Sequence, residues 1–193
     1  MRRLLLILPL AAVAAGFAIA SADESSPSGR DDALLRSGTL RYTAFLEAES
    51  ASLRSARRSG DRAAVRLYRG RLAPAGSRPS EVDPVAAVER AASLLSADAR
   101  RLEDAVPLLD VEARTAGAAL AFDAIRDALW AQDKGLTGSI DERLAGLRAE
   151  LDRHRRGSRF RPASSLSVGD RRRLAAALDA YAWRLSLAAD RVG

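Results

Sequence analysis

The sequence predicts an all-α protein, an up-and-down helical bundle of about five to six helices in a single domain. Apolar residues recur at spacings of three and four along almost all of the chain beyond residue 32, which places one apolar stripe on each helix. No stretch alternates between apolar and polar residues with period two, so no strand and no sheet is expected. The 193 residues, 48% of them hydrophobic, suffice for a buried core.

The first 22 residues predict an export signal. Arg2 and Arg3 precede an apolar run over residues 4–20, and small residues follow at the spacing that a signal peptidase accepts. An uncleaved membrane anchor is the alternative, because this run falls just short of the ~20 residues that span a bilayer. We expect a signal peptide over 1–22, a flexible lead-in over 23–32, and a helical bundle domain over 33–193. The mature protein would then have no transmembrane domain and would be periplasmic or extracellular, in the cell envelope.

Capping residues divide the bundle into its helices. Four sequence pairs are typical of helix starts, namely Gly60-Asp61, Asp83-Pro84, Ser139 with Glu142, and Ser167 with Asp170. With the stripes, they predict helices near 38–59, 61–73, 84–105, 111–132, 139–156 and 168–191. The breaks rich in Pro, Gly and Ser lie at 74–82 and 157–166. The stripes also predict a buried set that comprises Leu95, Leu102, Phe122, Leu144, Leu151, Leu178 and Leu185.

Composition excludes several chemistries. The chain has no cysteine and one histidine, so disulfides, thiol nucleophiles and paired-histidine metal sites are absent. His154 lies among arginines in a predicted last helical turn, where a cation is favoured by the helix dipole, so no catalytic role is expected for it. We therefore predict no enzyme, no cofactor and no tightly bound transition metal.

Positive charge is concentrated near the C-terminus. The formal net charge is +6, and basic clusters occur at 153–156 and 171–173. Such clusters suit phospholipid head groups or an anionic envelope polymer. Acids are interleaved and no aromatic stacking set accompanies the arginines, so nucleic-acid binding is not expected. A solvated helix face that only maintains solubility is the alternative.

Three carboxylates are the candidate metal ligands. Glu49, Glu89 and Asp123 each lie beside an apolar stripe, and acids from facing helices can meet inside a bundle. If they converge, they could bind iron or another divalent metal. The alternative is that arginines neutralise them within a helical turn, with Asp123 next to Arg126 and Glu89 next to Arg90.

A set of short segments occurs in a characteristic order. Tyr42-Thr43-Ala44-Phe45-Leu46 comes first, the stretches 60–68 and 117–125 follow, and Lys134-Gly135-Leu136-Thr137-Gly138 ends the series. In this order they resemble the EfeO/EfeM-type, imelysin-like family of exported helical proteins associated with iron uptake. The resemblance implies a helical bundle, places Tyr68 and Arg71 at the end of an Ala-rich helix, and covers roughly residues 40–155.

The sequence departs from that family at its metal motif. The family's His-x-x-Glu falls on residues 86–89, where Ala86 replaces the histidine and Glu89 remains, and the later helix keeps only Asp123. A carboxylate without its imidazole partner does not build the same transition-metal site. The resemblance implies an exported, non-enzymatic bundle with a binding or accessory role in the cell envelope, with an envelope transport component as its partner. Two alternatives stay open: a metal-binding or hydrolytic protein that uses the remaining acids, and an Arg-rich envelope protein that binds an anionic surface.

Overall fold

The computed structural model describes residues 27–76, 83–102, 106–157 and 159–193. Within these ranges the chain forms six α-helices and confirms the predicted all-α bundle. The helices are α1 Pro27–Ser59, α2 Arg62–Leu72, α3 Pro84–Arg101, α4 Leu108–Gln132, α5 Lys134–Asp152 and α6 Val168–Val192. Two short 3-10 turns, Ala73–Ala75 and Ala163–Ser165, follow α2 and precede α6. The predicted signal peptide lies outside the described residues.

Helix α4 is the central element of the bundle. It packs against α1, α2, α3 and α5 and also contacts α6, which lies mainly along α3 and α5. Two close approaches bring α1 and α2 onto α4, because a Cβ atom at Gly38 would overlap the backbone of Ala124 and one at Gly117 would overlap the backbone of Arg71. Glycine is required at both points, since any larger residue would push the helices apart.

The core confirms the predicted helix faces. All seven residues of the predicted buried set are buried, and none is more than 7% exposed. The stripe of α4 is buried along its whole length, from Val111 through Phe122 to Leu129. Spacing of three and four therefore identified the apolar faces correctly, because each stripe has a neighbouring helix to bury it.

Three of the predicted helix starts are confirmed. The Asp61 carboxylate accepts from the backbone N–H groups of Ala63 and Ala64 at 3.0 Å, and that of Asp83 accepts from Val85 at 2.9 Å. Ser167 and Asp170 start α6 as predicted, and the structure shows that they form a reciprocal capping box. In each case a side-chain oxygen satisfies a backbone N–H that lacks a partner within the helix.

Replacing Ser167 with alanine is expected to lower the free energy of unfolding by about 1 kcal/mol, within the 0.5–2 kcal/mol typical of lost N-caps. The hydroxyl accepts from the Asp170 N–H at 3.0 Å, and alanine leaves that donor to solvent. Urea unfolding followed by circular dichroism measures the change. Ser186→Ala, on the exposed side of the same helix, is the control, and equal losses in both variants would contradict a capping role.

The predicted boundaries were wrong at four points. Helix α5 begins at Lys134 and not at 139, because Asp133 caps it by accepting from the Leu136 N–H at 2.8 Å. It ends at Asp152 and not at 156. Helix α1 extends back to Pro27, so the described part of the predicted lead-in, 27–32, is helical. Helix α4 begins at Leu108, three residues before its predicted start. The predicted end of α3 near 105 lies outside the described residues.

The expectation of no sheet was also wrong. Residues 155–156 and 159–160 form a two-stranded antiparallel ladder, β1 and β2, with Arg155 opposite Phe160. Gly157 has a φ of 61°, which the tight turn requires and which glycine adopts without strain. Each strand has two residues, too few to show a period-two pattern in the sequence.

Candidate functional site

Glu49 is buried in an ion pair between two helices. Its side chain on α1 is 12% exposed, and its Oε1 lies 3.3 Å from Nη1 of Arg71 on α2. Glu49 Oε2 and Arg71 Nε make no hydrogen bond within the described part of the chain. Glu49 is therefore held by a cation, which leaves it unsuited to bind a second one.

Asp123 and Glu89 lie on other surfaces. Asp123 on α4 is 60% exposed and pairs with Arg126 Nε at 3.2 Å, as predicted. Arg126 also binds both oxygens of Asp141 on α5, at 2.6 and 2.7 Å. Glu89 on α3 is exposed, but its predicted pairing with Arg90 was wrong. The Arg90 guanidinium instead donates to the carbonyl of Pro74 at 2.8 Å.

The three candidate ligands do not form a metal site. Glu49, Glu89 and Asp123 lie on three different helices, and two of them are paired with arginine. Among the residues that the structure describes, no group of three or more His, Asp or Glu side chains could hold a metal ion. The described residues therefore do not bring the three carboxylates together as the metal-binding alternative requires.

Two further acids are buried more deeply than any predicted ligand. Asp98 on α3 is 2% exposed and accepts a hydrogen bond from Arg114 on α4. Burial raises the pKa of Asp98 above its usual range, although the hydrogen bond and the charge of Arg114 act in the opposite direction. Glu150 on α5 binds Arg153 at 2.7 Å and Arg173 of α6 at 3.4 Å. The Asp98–Arg114 pair joins α3 to α4, and the Glu150–Arg173 pair joins α5 to α6.

His154 does not lie in the last turn of a helix, as was predicted. It follows the end of α5, is 4% exposed, and its Nε2 lies 3.7 Å from Glu150 Oε1. Its backbone carbonyl accepts from the Arg161 N–H at 2.9 Å, which closes the loop around the β1–β2 ladder. No serine hydroxyl is hydrogen-bonded to the imidazole within the described residues, so a Ser-His pair for nucleophilic catalysis is not assembled there.

The basic clusters of the sequence divide into paired and unpaired arginines. Arg153, Arg155 and Arg173 each bind an acid, namely Glu150, Glu112 and Asp170 in turn. Within the described chain, Arg156, Arg171 and Arg172 form no ion pair. About half of the clustered positive charge is thus neutralised internally, and half remains available to a partner.

Arg171 and Arg172 line a groove between α3 and α6. The groove has a volume of about 490 Å³, and its walls are Ala99, Arg100, Leu102, Val168, Arg171, Arg172 and Ala175. We call it the arginine groove. Among the described residues, none that lines the groove is acidic, and Arg100, Arg171 and Arg172 have no ion-pair partner. Three arginines therefore line one groove together with four apolar residues.

Helix geometry explains why these residues meet. Val168, Arg171, Arg172 and Ala175 have spacings of three and four, which place them on one face of the first two turns of α6. Arg100 lies in the last turn of α3, where the helix dipole favours a cation. Because α3 lies along α6, the two ends come together and their arginines face one groove.

The arginine groove can bind anions. Each guanidinium presents five N–H donors in a plane that matches carboxylate or phosphate oxygens, and it stays charged at any physiological pH. The sequence predicted the cluster at 171–173 but not the contribution of Arg100. That contribution depends on the packing of two helices about 70 residues apart, for which the sequence offers no local signal.

Comparison with known proteins gives no match to this chain, whether to a family model, a curated protein or a solved structure. Among the described helices, none combines the length and the apolar character that a membrane span needs.

Proposed function

We propose that this chain is an exported, non-enzymatic helical-bundle protein of the cell envelope that binds an anionic envelope polymer or membrane surface through the arginine groove. The observation that carries the proposal is the groove itself, which three unpaired arginines line without an acid among the described residues. The carboxylates that a metal-binding role would need are instead scattered, and two of the three are paired with arginine.

Export is supported by the sequence of the N-terminus. A basic start, an apolar run and small residues at the expected cleavage positions are the three parts of a secretory signal. An exported cationic protein meets phospholipid head groups and anionic polymers rather than nucleic acid. No aromatic ring on which a base could stack lines the groove among the residues that the structure describes.

The resemblance to the EfeO/EfeM-type family supports the bundle and an accessory role beside an envelope transport component. It does not extend to the metal motif, because Ala86 stands where that family has its histidine. The arginine groove is formed partly by α6, which lies beyond the residues that carry the resemblance. Anion binding in this groove would therefore be a property of this chain that the resemblance does not imply.

Binding to anionic vesicles tests the proposal. Each arginine near an anionic membrane contributes about 1 kcal/mol, so three should strengthen binding roughly 100-fold. Protein recovered from the envelope fraction, in the form that the cell produces, is mixed with vesicles of phosphatidylglycerol and phosphatidylcholine and sedimented. The triple variant R100Q/R171Q/R172Q should bind roughly 100-fold more weakly, and the binding of the unmodified protein should fall as salt is raised.

The control removes the same charge elsewhere. Arg57, Arg58 and Arg62 are exposed around the α1–α2 turn and form no ion pair within the described residues. The variant R57Q/R58Q/R62Q should lose less than tenfold in affinity. Equal losses in both triple variants would show that net charge, and not the groove, attracts the surface, and would contradict the proposal.

A further inference from the structure

A second and larger groove lies on another part of the molecule. It has a volume of about 740 Å³ and is formed by α2, the start of α4, and the segment 159–164 that contains β2. Its walls are Ala63, Ala64, Leu67, Pro107, Leu108, Leu109, Arg159, Phe160, Arg161, Pro162, Ala163 and Ser164. Ten of these residues carry no charge, and most are apolar. We call it the Phe160 groove. Its size is within the range of small-molecule sites.

Several contacts fix the wall that contains Phe160. The Arg155 guanidinium lies 4.4 Å from the centre of the Phe160 ring. The same guanidinium binds Glu112 on α4 and the carboxylate of Asp152, the latter at 3.1 Å. The Phe160 ring thus packs against the Arg155 guanidinium, and that guanidinium is itself held by the carboxylates of Glu112 and Asp152. A wall fixed in this way needs little reordering when a ligand enters, which favours binding.

Among the described residues, the charged side chains that line the Phe160 groove all have the same sign. Arg159 and Arg161 are the charged residues in its walls, and neither has an ion-pair partner in the described part of the chain. The two acids of α4 close to it are already engaged, because Asp110 lies 3.8 Å from Arg66 and Glu112 binds Arg155. A ligand with a negative head group would therefore find two free guanidinium groups beside an apolar channel.

We propose that the Phe160 groove binds a long-chain carboxylate, a fatty acid monomer. Its chain would lie against Ala63, Leu67 and Phe160, and its carboxylate would pair with Arg159 and Arg161. A concave channel suits a single extended chain, whereas insertion into a bilayer uses apolar side chains that protrude, and Phe160 is half-buried. This site shares no residue with the arginine groove, so the fatty-acid proposal can be tested independently of the proposed function.

The first test is titration calorimetry with octanoate, decanoate and dodecanoate, on protein as the cell exports it and below the micelle concentration of each acid. If the chain enters the groove, affinity should rise with chain length, up to about fourfold for each methylene buried. Affinity that does not change with chain length would contradict the proposal, because the head group alone would then be recognised. Absence of dodecanoate binding would contradict it as well.

Two variants locate the site. Ala63→Trp places a large ring at the exposed edge of the channel and should weaken dodecanoate binding at least tenfold. R159Q/R161Q removes the head-group partners and should have a similar effect. The controls are Ala51→Trp, on an exposed position of α1, and R57Q/R58Q, which should leave dodecanoate binding within twofold. Circular dichroism confirms that each variant is folded.

The variants also separate the monomer from the membrane. If A63W or R159Q/R161Q lowers binding to anionic vesicles while dodecanoate binding is unchanged, the groove faces a lipid surface and the proposal is overturned. If the control variants also lose dodecanoate binding, the fatty acid does not bind specifically in the Phe160 groove, and the proposal is overturned too. Loss in the two groove variants alone, with vesicle binding unchanged, supports it.

Discussion

Phe122→Ala is expected to lower the free energy of unfolding by about 3–5 kcal/mol, as large-to-small changes at buried aromatic residues do. The side chain is fully buried in α4, the helix that packs against all five others. Alanine would leave a cavity that these helices cannot close, because Gly38 and Gly117 already bring α1 and α2 onto the α4 backbone. The contact of the ring with Arg126, whose guanidinium lies 4.8 Å from its centre, would be lost too.

Urea unfolding monitored by circular dichroism measures this change, with the midpoint and the slope analysed separately. Leu40→Ala is the control, because Leu40 on α1 is 70% exposed and its truncation should alter stability by less than about 0.5 kcal/mol. If Phe122→Ala costs no more than Leu40→Ala, the arrangement of helices around α4 is wrong.

The helices and their buried faces could be predicted because the information is local. On α4, Val111, Phe122 and Leu129 belong to one stripe with spacings of three and four, and any helix that buries that stripe buries all of them. The same holds for Leu174 and Leu185 on α6. Periodicity within one segment therefore determines which side faces inwards, without knowledge of the partner helix.

The ends of the helices could not be predicted equally well. Both Asp133 and Ser139 are good capping residues, and Asp133 starts α5. The early start of α1 coincides with a contact to a distant residue, since Gln132 donates to Asp31 at 3.3 Å, and further along α1 Arg41 binds Asp127 at 2.9 Å. Both contacts join α1 to the far end of α4, so the segment around residue 31 gives no local signal for them.

The charged sites show the same division between local and distant contacts. The Asp123–Arg126 pair was predicted because its members are three residues apart on one helix. Arg155 with Glu112 and Arg173 with Glu150 were missed, since these partners are 43 and 23 residues apart. The two grooves depend on which arginines remain after such pairs form, and this is decided by packing rather than by the sequence around each arginine.

Arg114→Met is expected to lower the free energy of unfolding by about 3 kcal/mol near pH 7, the lower end for a broken buried ion pair. Asp98 is 2% exposed and Arg114 is 26% exposed, so the substitution leaves a buried carboxylate without its cation. We expect a loss at the lower end of this range because water can reach the position of the Arg114 guanidinium. Methionine retains the apolar part of the side chain, so the loss reports mainly on the charge.

The loss should depend on pH with a definite sign. Burial already raises the pKa of Asp98, so this carboxyl binds its proton more tightly in the folded protein than in the unfolded chain. The contribution of Asp98 to stability therefore falls as the pH rises from its pKa in the unfolded chain to its higher pKa in the folded protein. Without Arg114 the pKa should rise further, and the penalty of Arg114→Met should shrink as pH falls and Asp98 takes up a proton.

The double variant D98N/R114M separates charge from packing. Asparagine keeps the shape of Asp98 but carries no charge, so the double variant should be more stable than Arg114→Met near pH 7. Urea unfolding at about pH 7 and about pH 4.5 gives the comparison, with wild type at each pH as reference for the other carboxyls. A penalty for Arg114→Met that stays the same at both pH values, and that D98N does not relieve, would show that Arg114 stabilises the α3–α4 contact through packing. The buried charge of Asp98 would then not contribute to the stability lost in Arg114→Met.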